Sequence, residues 1–312
     1  MHISNQWIRL FSISPTDDNK KTIRSNFYSK EEIIVSLTTW SARINNLPVV
    51  LNSILEQTVK ADKIIVNLAY NEYIPHDVFV FLESNGIEVF YTDDTKVYKK
   101  FIPTLKRYPK ACVINIDDDL IYPPTLIEDF ISVHKQCPNN PVCGNHAFLF
   151  GRYCHCGEAS LTKLEYFGSY INEIDAELMA SCSSSDIVFT YLATLAGHPY
   201  IPSRGFYGSD YQPQYNAKSP YSENVIGNRG IENTYEYLRS RFGEMPPFTS
   251  FFTQNDYISD AIESILKRRE TELCQIKSSR TYKIAQSLSI IANKVFMTLI
   301  PQHFDLTLFI ST

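Results

Sequence analysis

The 312-residue chain has no surplus of basic charge: Lys plus Arg number 29 against 34 for Asp plus Glu, a formal charge of −5. Without a broad positive field there is little to hold a nucleic-acid backbone, so nucleic acid is not an expected partner. Nor does the sequence contain a run approaching the roughly 18 apolar residues that a membrane-spanning helix requires. Its opening, Met1-His-Ile-Ser-Asn-Gln-Trp-Ile-Arg9, lacks the basic start and long apolar stretch of a secretory leader. A reducing cytoplasm is therefore the expected location. Paired C-x-x-C spacing is also missing. The seven cysteines form an odd set, and Cys137, Cys143, Cys154, His155 and Cys156 read as ordinary buried positions, with zinc as the alternative.

What the chain does have is a repeating alternation of two periodicities. Ile33 to Thr38 reads as a buried strand, after which Leu47, Val50, Leu51, Ile54 and Leu55 fall at the spacing of one helix face. Lys63–Ala69, Ile87–Tyr91 and Ala111–Ile116 read as further strands, with short helices at His76–Glu83 and Phe101–Arg107 between them. Such alternation predicts an α/β domain with a mainly parallel sheet, right-handed crossovers and helices on both faces. Beyond Pro123-Pro124 the expected elements are a helix at Leu126–Val133, a strand at Val142–Phe150 and a helix beginning near Asp186 and stopping at Gly197. Tyr166–Ala180 is ambiguous, and Pro202–Asn233, rich in Gly, Pro, Ser, Asn and Tyr, reads as a loop over the cleft.

The strand Ala111–Ile116 runs straight into Asp117, Asp118 and Asp119. Three adjacent anions at the end of a buried strand repel one another and favour water, so the arrangement calls for a cation. In extended backbone the first and third project to the same side, which makes Asp117 and Asp119 a metal-binding pair. Hard carboxylate oxygens suit Mg²⁺ or Mn²⁺, which retain positions for the oxygens of a diphosphate. Because ligands of parallel sheets bind at the carboxyl ends of the strands, Thr38, Thr39, Arg43, Asn67, Asp93 and Asp94 should share the cleft with the triplet.

Four strings strengthen this reading: Ser36-Leu-Thr-Thr-Trp40-Ser-Ala-Arg43-Ile44, Ser53-Ile-Leu-Glu-Gln57, Tyr98-Lys-Lys-Phe-Ile-Pro-Thr-Leu-Lys-Arg-Tyr-Pro109 and Ile116-Asp-Asp-Asp-Leu-Ile-Tyr-Pro123. In that order they resemble the donor-binding half of bacterial family 2-like glycosyltransferases of surface-polysaccharide biosynthesis, over residues 32 to 125. The resemblance implies a GT-A fold with a DxD motif. It divides the chain into an N-terminal arm (1–30), a glycosyltransferase domain (31–250, with a donor half at 31–125 and an acceptor half at 126–250) and a C-terminal helical extension (251–312). It also implies a nucleotide-sugar donor, UDP-linked by expectation, and a glycan or lipid-linked acceptor in capsule, lipopolysaccharide or exopolysaccharide synthesis.

Residue by residue, the resemblance places Thr38, Thr39 and Arg43 on the nucleotide, Arg43 supplying a fork of donors for phosphate. Asn67 and Asp93 would complete the nucleotide site, and Asp118 would face the nucleotide or the neighbouring loop. Lys99 or Lys100 would approach the diphosphate or sugar. Asp186 would act as the base that removes the acceptor proton, with helix capping as its plainer role. Ser185 stands where relatives carry a second acid, and the relatives' Gly-Gly segment is reduced to Phe167-Gly-Ser-Tyr170. His146 reads as a buried histidine and His198 as a candidate further metal ligand.

Two other functions fit parts of this pattern. Nucleotidyl transfer would use the same metal, but its Gly-rich phosphate loop is absent from Thr38-Thr-Trp-Ser-Ala-Arg43. A degenerate, non-catalytic binding subunit would explain the incomplete acid pair. Near the end, Ile258, Ala261, Ile262, Ile265 and Leu266 mark a helix face, and so do Ile284, Leu288, Ile291, Val295 and Leu299. The second face either packs on the domain or makes peripheral contact with a membrane.

Overall fold

The computed structural model describes residues 31–144, 148–149, 153–154, 156–203 and 230–246, together with Cys274 and Ser278. The arm at 1–30, His146, His155, most of the 202–233 loop and both C-terminal helix faces lie outside the described residues. Four strands, β1 (Ile33–Thr38), β2 (Lys63–Ala69), β3 (Glu88–Thr92) and β4 (Cys112–Ile116), alternate with helices α1 (Leu47–Leu55), α2 (His76–Ser84) and α3 (Ile102–Arg107). There follow α4 (Leu126–Gln136), β5 (Val142–Cys143), β6 (Phe148–Leu149), β7 (Tyr153–Cys154) and β8 (Ala159–Thr162). The remaining elements are α5 (Ala176–Ser181), α6 (Ser185–Leu195), β9 (Ile201–Pro202) and α7 (Gly230–Phe242).

The main sheet has the order β3-β2-β1-β4-β8-β5-β9. β1 pairs in parallel with both β2 and β4, so the chain moves outward through β2 and β3 and then crosses back to the other side of β1. β8 is antiparallel to both β4 and β5. Period-two alternation in β1 explains why both faces of the sheet are covered. Ile33, Val35 and Leu37 join the cluster formed with Leu47, Val50 and Leu51 of α1 and Phe130 of α4, whereas Ile34 joins the one containing Phe101, Phe189 and Leu192. Each of these fully buried side chains contributes about 1.5–3 kcal/mol relative to exposure.

Local chemistry sets several boundaries. Pro48 stands in the first turn of α1, where its missing N–H costs nothing. Asp175 caps α5 by accepting from the Leu178 N–H at 2.8 Å. Gly197, at φ 92°, ends the α6 segment as expected.

Two expectations need correction. The strand expected over 142–150 is only the two-residue β5, and Phe148–Leu149 pairs separately with β7. The inner strand β8 gives little signal, since Ala-Ser-Leu-Thr is four residues long and wholly buried, showing no in-out alternation. At the far end of the expected loop the chain is already helical from Gly230, in a helix whose described core contribution includes Leu238 and Thr234. The ambiguous 166–180 segment resolves into a 3₁₀ stretch, Leu164–Glu173, broken at Gly168 (φ 50°), followed by α5.

Candidate functional site

A cleft of about 560 Å³ opens at the carboxyl ends of β1 and β4, where the sheet's connections diverge. Thr38, Thr39 and Arg43 line it from β1, Asp117, Asp118 and Asp119 from β4, and Asp186 from the first turn of α6. Lys99 and Lys100 enter from the 3₁₀ turn Lys96–Lys100.

β4 ends at Ile116 and the backbone turns at Asp118 and Asp119, so the three aspartates are shared between two cations: Asp117 meets Lys100, while Asp118 and Asp119 meet the same Arg43 nitrogen. Asp118 is tied to the β1 loop, accepting from Thr39 Oγ1 at 2.6 Å and from Arg43 Nη1 at 2.7 Å, and its side chain is only 9% exposed. Asp117 and Asp119 keep 30% and 28% of their side chains exposed toward the cleft. Arg43 also reaches Asp119 Oδ2 at 2.9 Å. Burial alone would lower the Arg43 pKa, but Asp118 and Asp119 overcome it and raise it.

Lys100 is the second organising cation. Its Nζ lies 2.6 Å from Asp117 Oδ1 and 3.1 Å from Asp186 Oδ1, with only 7% of the side chain exposed. Burial opposes its charge, yet Asp117 and Asp186 raise its pKa. The Asp186 carboxylate is therefore directed at Lys100. It does not cap α6, whose N-cap is Ser184.

Glu158, which the sequence does not single out, belongs to the same charged group. It takes a left-handed backbone (φ 63°) between Gly157 and β8, and its Oε2 is buried without a hydrogen-bond partner. Burial first, then the charges of Asp186 and Asp119, raise its pKa. Burial likewise pushes the Asp117 carboxyl up to about 7 against the pull of Lys100, and raises that of Asp119 against Arg43. Asp117, Asp118, Asp119, Asp186 and Glu158 thus set five carboxylates against the two cations Arg43 and Lys100. This surplus of negative charge, with an orphaned carboxylate oxygen beside it, fits a divalent cation held through Asp117 and Asp119.

A scaffold of hydrogen bonds fixes the triplet. The Tyr122 hydroxyl accepts from the Asp117 N–H at 2.8 Å and donates to the Glu158 carbonyl at 2.9 Å, joining the ends of the two acidic segments. Ser53 Oγ accepts from the Tyr122 N–H at 3.1 Å. Gln57 donates to the Pro123 carbonyl at 2.7 Å and accepts from the Ile127 N–H at 3.1 Å. The Ser53 to Gln57 string thus clamps the turn that follows the Asp triplet.

Other expected residues are placed differently. Asn67 is fully buried, donating to Ser36 Oγ at 3.0 Å and Thr104 Oγ1 at 3.1 Å, so it braces the sheet beneath α3 and does not line the cleft. Asp94 lines the cleft and Asp93 does not; Asp94 is paired with Lys99, whose hydrogen bond holds its pKa down. Thr38 Oγ1 is engaged by the Asn67 carbonyl at 2.7 Å. Trp40, 39% exposed at the cleft, is an aromatic surface to which the sequence alone assigns no role. His198 bonds the Asn139 carbonyl at 2.6 Å beyond the far end of α6, roughly a 15 Å helix length from Asp186. Cys137, Cys143 and Cys156 are buried cysteines outside any disulfide, Cys143 directed at the Ile201 carbonyl and Cys156 at that of Asp186.

No protein-family description matches the chain, and no curated protein matches it. Among solved structures it is similar to a mannosyltransferase from Pyrobaculum calidifontis in complex with GDP-Man and Mn²⁺. That pair is 12% identical over 86% of this chain and 81% of the other, with a TM-score of 0.54. Glucosyl-3-phosphoglycerate synthase from Mycobacterium tuberculosis, in complex with Mn²⁺, UDP and phosphoglyceric acid, matches at 13% identity over 70% and 81% of the two chains, TM-score 0.47. A cytidylyltransferase from Leptospira borgpetersenii matches at 10% identity over 69% and 95%, TM-score 0.39. The likeness to the mannosyltransferase is one of fold, and the mixed α/β sheet of this chain is of the GT-A type.

Proposed function

We propose that the chain is a metal-dependent glycosyltransferase that moves a sugar from a nucleoside-diphosphate donor to an acceptor hydroxyl. The observation that carries this reading is the cation-bridged cluster at the ends of β1, β4 and α6, where Lys100 joins Asp117 to Asp186 and Arg43 joins Asp118 to Asp119. The shared fold with a mannosyltransferase solved with GDP-Man and Mn²⁺ supports it.

When bound, Mn²⁺ or Mg²⁺ supplies neutralisation for the charge that gathers on the departing diphosphate. Asp117 and Asp119 would hold it, and Asp118 keeps the Arg43 fork aimed at the same space. Arg43 and Lys100, both lining the cleft, would offer their N–H donors to phosphate oxygens there. Trp40 offers a ring face to the base or sugar. Asp186 takes the proton of the acceptor hydroxyl, its carboxylate positioned by Lys100. The donor is UDP-linked in this reading, and the acceptor is a growing glycan or lipid-linked saccharide of surface-polysaccharide synthesis. Among the described residues no helix is long and apolar enough to cross a membrane.

Purified protein incubated with a panel of nucleotide-sugars and Mn²⁺ should release nucleoside diphosphate slowly to water and faster with a matching acceptor. Release of pyrophosphate from nucleoside triphosphates instead would replace this reading with nucleotidyl transfer. Tight donor binding with no turnover across the panel would replace it with a binding subunit.

A further inference from the structure

At the opposite end of β4 from the Asp triplet lies a second cluster, made of Glu31, Cys112 and His134. Cys112 opens β4, Glu31 precedes β1, and His134 lies in the last turn of α4. The five residue steps from Cys112 to Asp117 span roughly 16 Å, so the cluster is separate from the cleft. None of the three is used by the proposed mechanism.

We propose that Glu31, Cys112 and His134 form a structural site for a zinc-type divalent ion, tying the amino ends of the two central strands to α4. Cys112 Sγ lies 3.3 Å from Glu31 Oε2 and 3.7 Å from His134 Nε2, and that nitrogen lies 3.2 Å from the same Oε2. Tetrahedral zinc with bonds of about 2.3 Å to sulfur and about 2.0 Å to nitrogen and oxygen places such atoms about 3.3–3.6 Å apart. The triangle thus already has the edges of three corners of the coordination tetrahedron, with water as the fourth ligand.

The surroundings orient the ligands. The Tyr166 hydroxyl sits 3.4 Å from His134 Nδ1 and donates to the Pro138 carbonyl at 2.7 Å, and Asn140 adds a backbone hydrogen bond to the imidazole. With Nδ1 occupied, Nε2 is left to face the sulfur and the carboxylate. Lys163 Nζ holds the other oxygen of Glu31, Oε1, at 3.0 Å and is itself paired with Glu165. On binding, the Cys112 thiol gives up its proton to solvent, and thiolate, carboxylate and neutral imidazole balance the two charges of the ion. Cys112 is 2% exposed and His134 4%, so the ion would be taken up as the chain folds.

The test uses the full-length protein, grown in minimal medium with zinc or with cobalt and kept reduced. The expected result is one zinc per chain by elemental analysis, retained by Asp119→Ala, and a thiolate-to-cobalt charge-transfer band in the cobalt-grown protein. Cys112→Ala should lose both the zinc and the band while still showing Mn²⁺-dependent nucleotide binding. Should that variant not fold, His134→Gln provides the same comparison. A wild-type protein with neither bound zinc nor a thiolate band would overturn the proposal, and so would a band that survives in a folded Cys112→Ala or His134→Gln protein.

Discussion

Lys100 Nζ stands 3.1 Å from the carboxylate of Asp186, joining the turn Lys96–Lys100 to the first turn of a helix more than eighty residues later in the chain. The same ammonium holds Asp117 at 2.6 Å. Removing it leaves two partly buried carboxylates without their cation.

Lys100→Met should therefore destabilise the metal-free protein by roughly 2–3 kcal/mol, below the cost of a fully buried pair because both acids keep some exposure. For a domain of this size that corresponds to a fall in Tm of several degrees. Added Mn²⁺ should restore much of the loss by replacing the missing positive charge, as thermal unfolding with and without the ion would show. An unchanged metal-free Tm would contradict the bridging role.

Asp117 supplies a pH dependence. Its folded pKa is raised to about 7, whereas the unfolded carboxyl titrates near about 4. Between these values the folded chain binds more protons than the unfolded one, so metal-free stability should fall as pH rises from about 4 to about 7. A ligating carboxylate must be deprotonated, so Mn²⁺ affinity should rise over that window, by up to about tenfold per pH unit. Calorimetric titration of Mn²⁺ at several pH values checks both the slope and its sign.

Asp186→Asn separates chemistry from donor binding. It keeps the shape of the side chain but cannot take the acceptor proton, so kcat should fall by about 10²–10⁴. Mn²⁺-dependent nucleotide affinity should change little, because the metal-binding pair and Arg43 remain. Single-turnover rates with a working acceptor, set beside nucleotide binding, test this. Equal losses in both would make Asp186 a structural residue.

The core beneath the cleft depends on a ring stack. Phe101 and Phe189 lie with centroids 4.0 Å apart and planes 19° apart, both fully buried. Phe101 directly follows Lys100, and Phe189 sits one turn beyond Asp186. Phe189→Ala should cost roughly 3–5 kcal/mol in denaturant unfolding. It should also weaken activity, because the two charged residues lose their common support.

The donor half was legible because its signals are local. Continuous apolar runs marked β1, β2 and β4, and three adjacent aspartates at a strand end demand a counter-charge. Strand geometry does not describe how the triplet divides, because β4 stops at Ile116 and Asp118 and Asp119 sit in a turn where both reach Arg43. Asn67 was misplaced because a strand-end position does not reveal which face its amide takes, and here that face is inward, toward Ser36 and Thr104. The acceptor half was harder because its order in space departs from its order in sequence. β8 enters antiparallel between β4 and β5, and only that pairing brings Glu158 to the triplet. No periodicity announces a four-residue buried strand preceded by a left-handed glutamate. The Glu31, Cys112 and His134 cluster is likewise assembled from three elements far apart in sequence.

The central claim is that the acidic end of β4 binds a nucleotide through a divalent ion. Calorimetric titration of UDP into the wild-type protein and Asp119→Ala, each with and without Mn²⁺, tests it most directly. Mn²⁺-dependent binding is expected in the wild type, weakened at least about tenfold by the substitution. Affinity that ignores Mn²⁺, or that is the same in the two proteins, would contradict it.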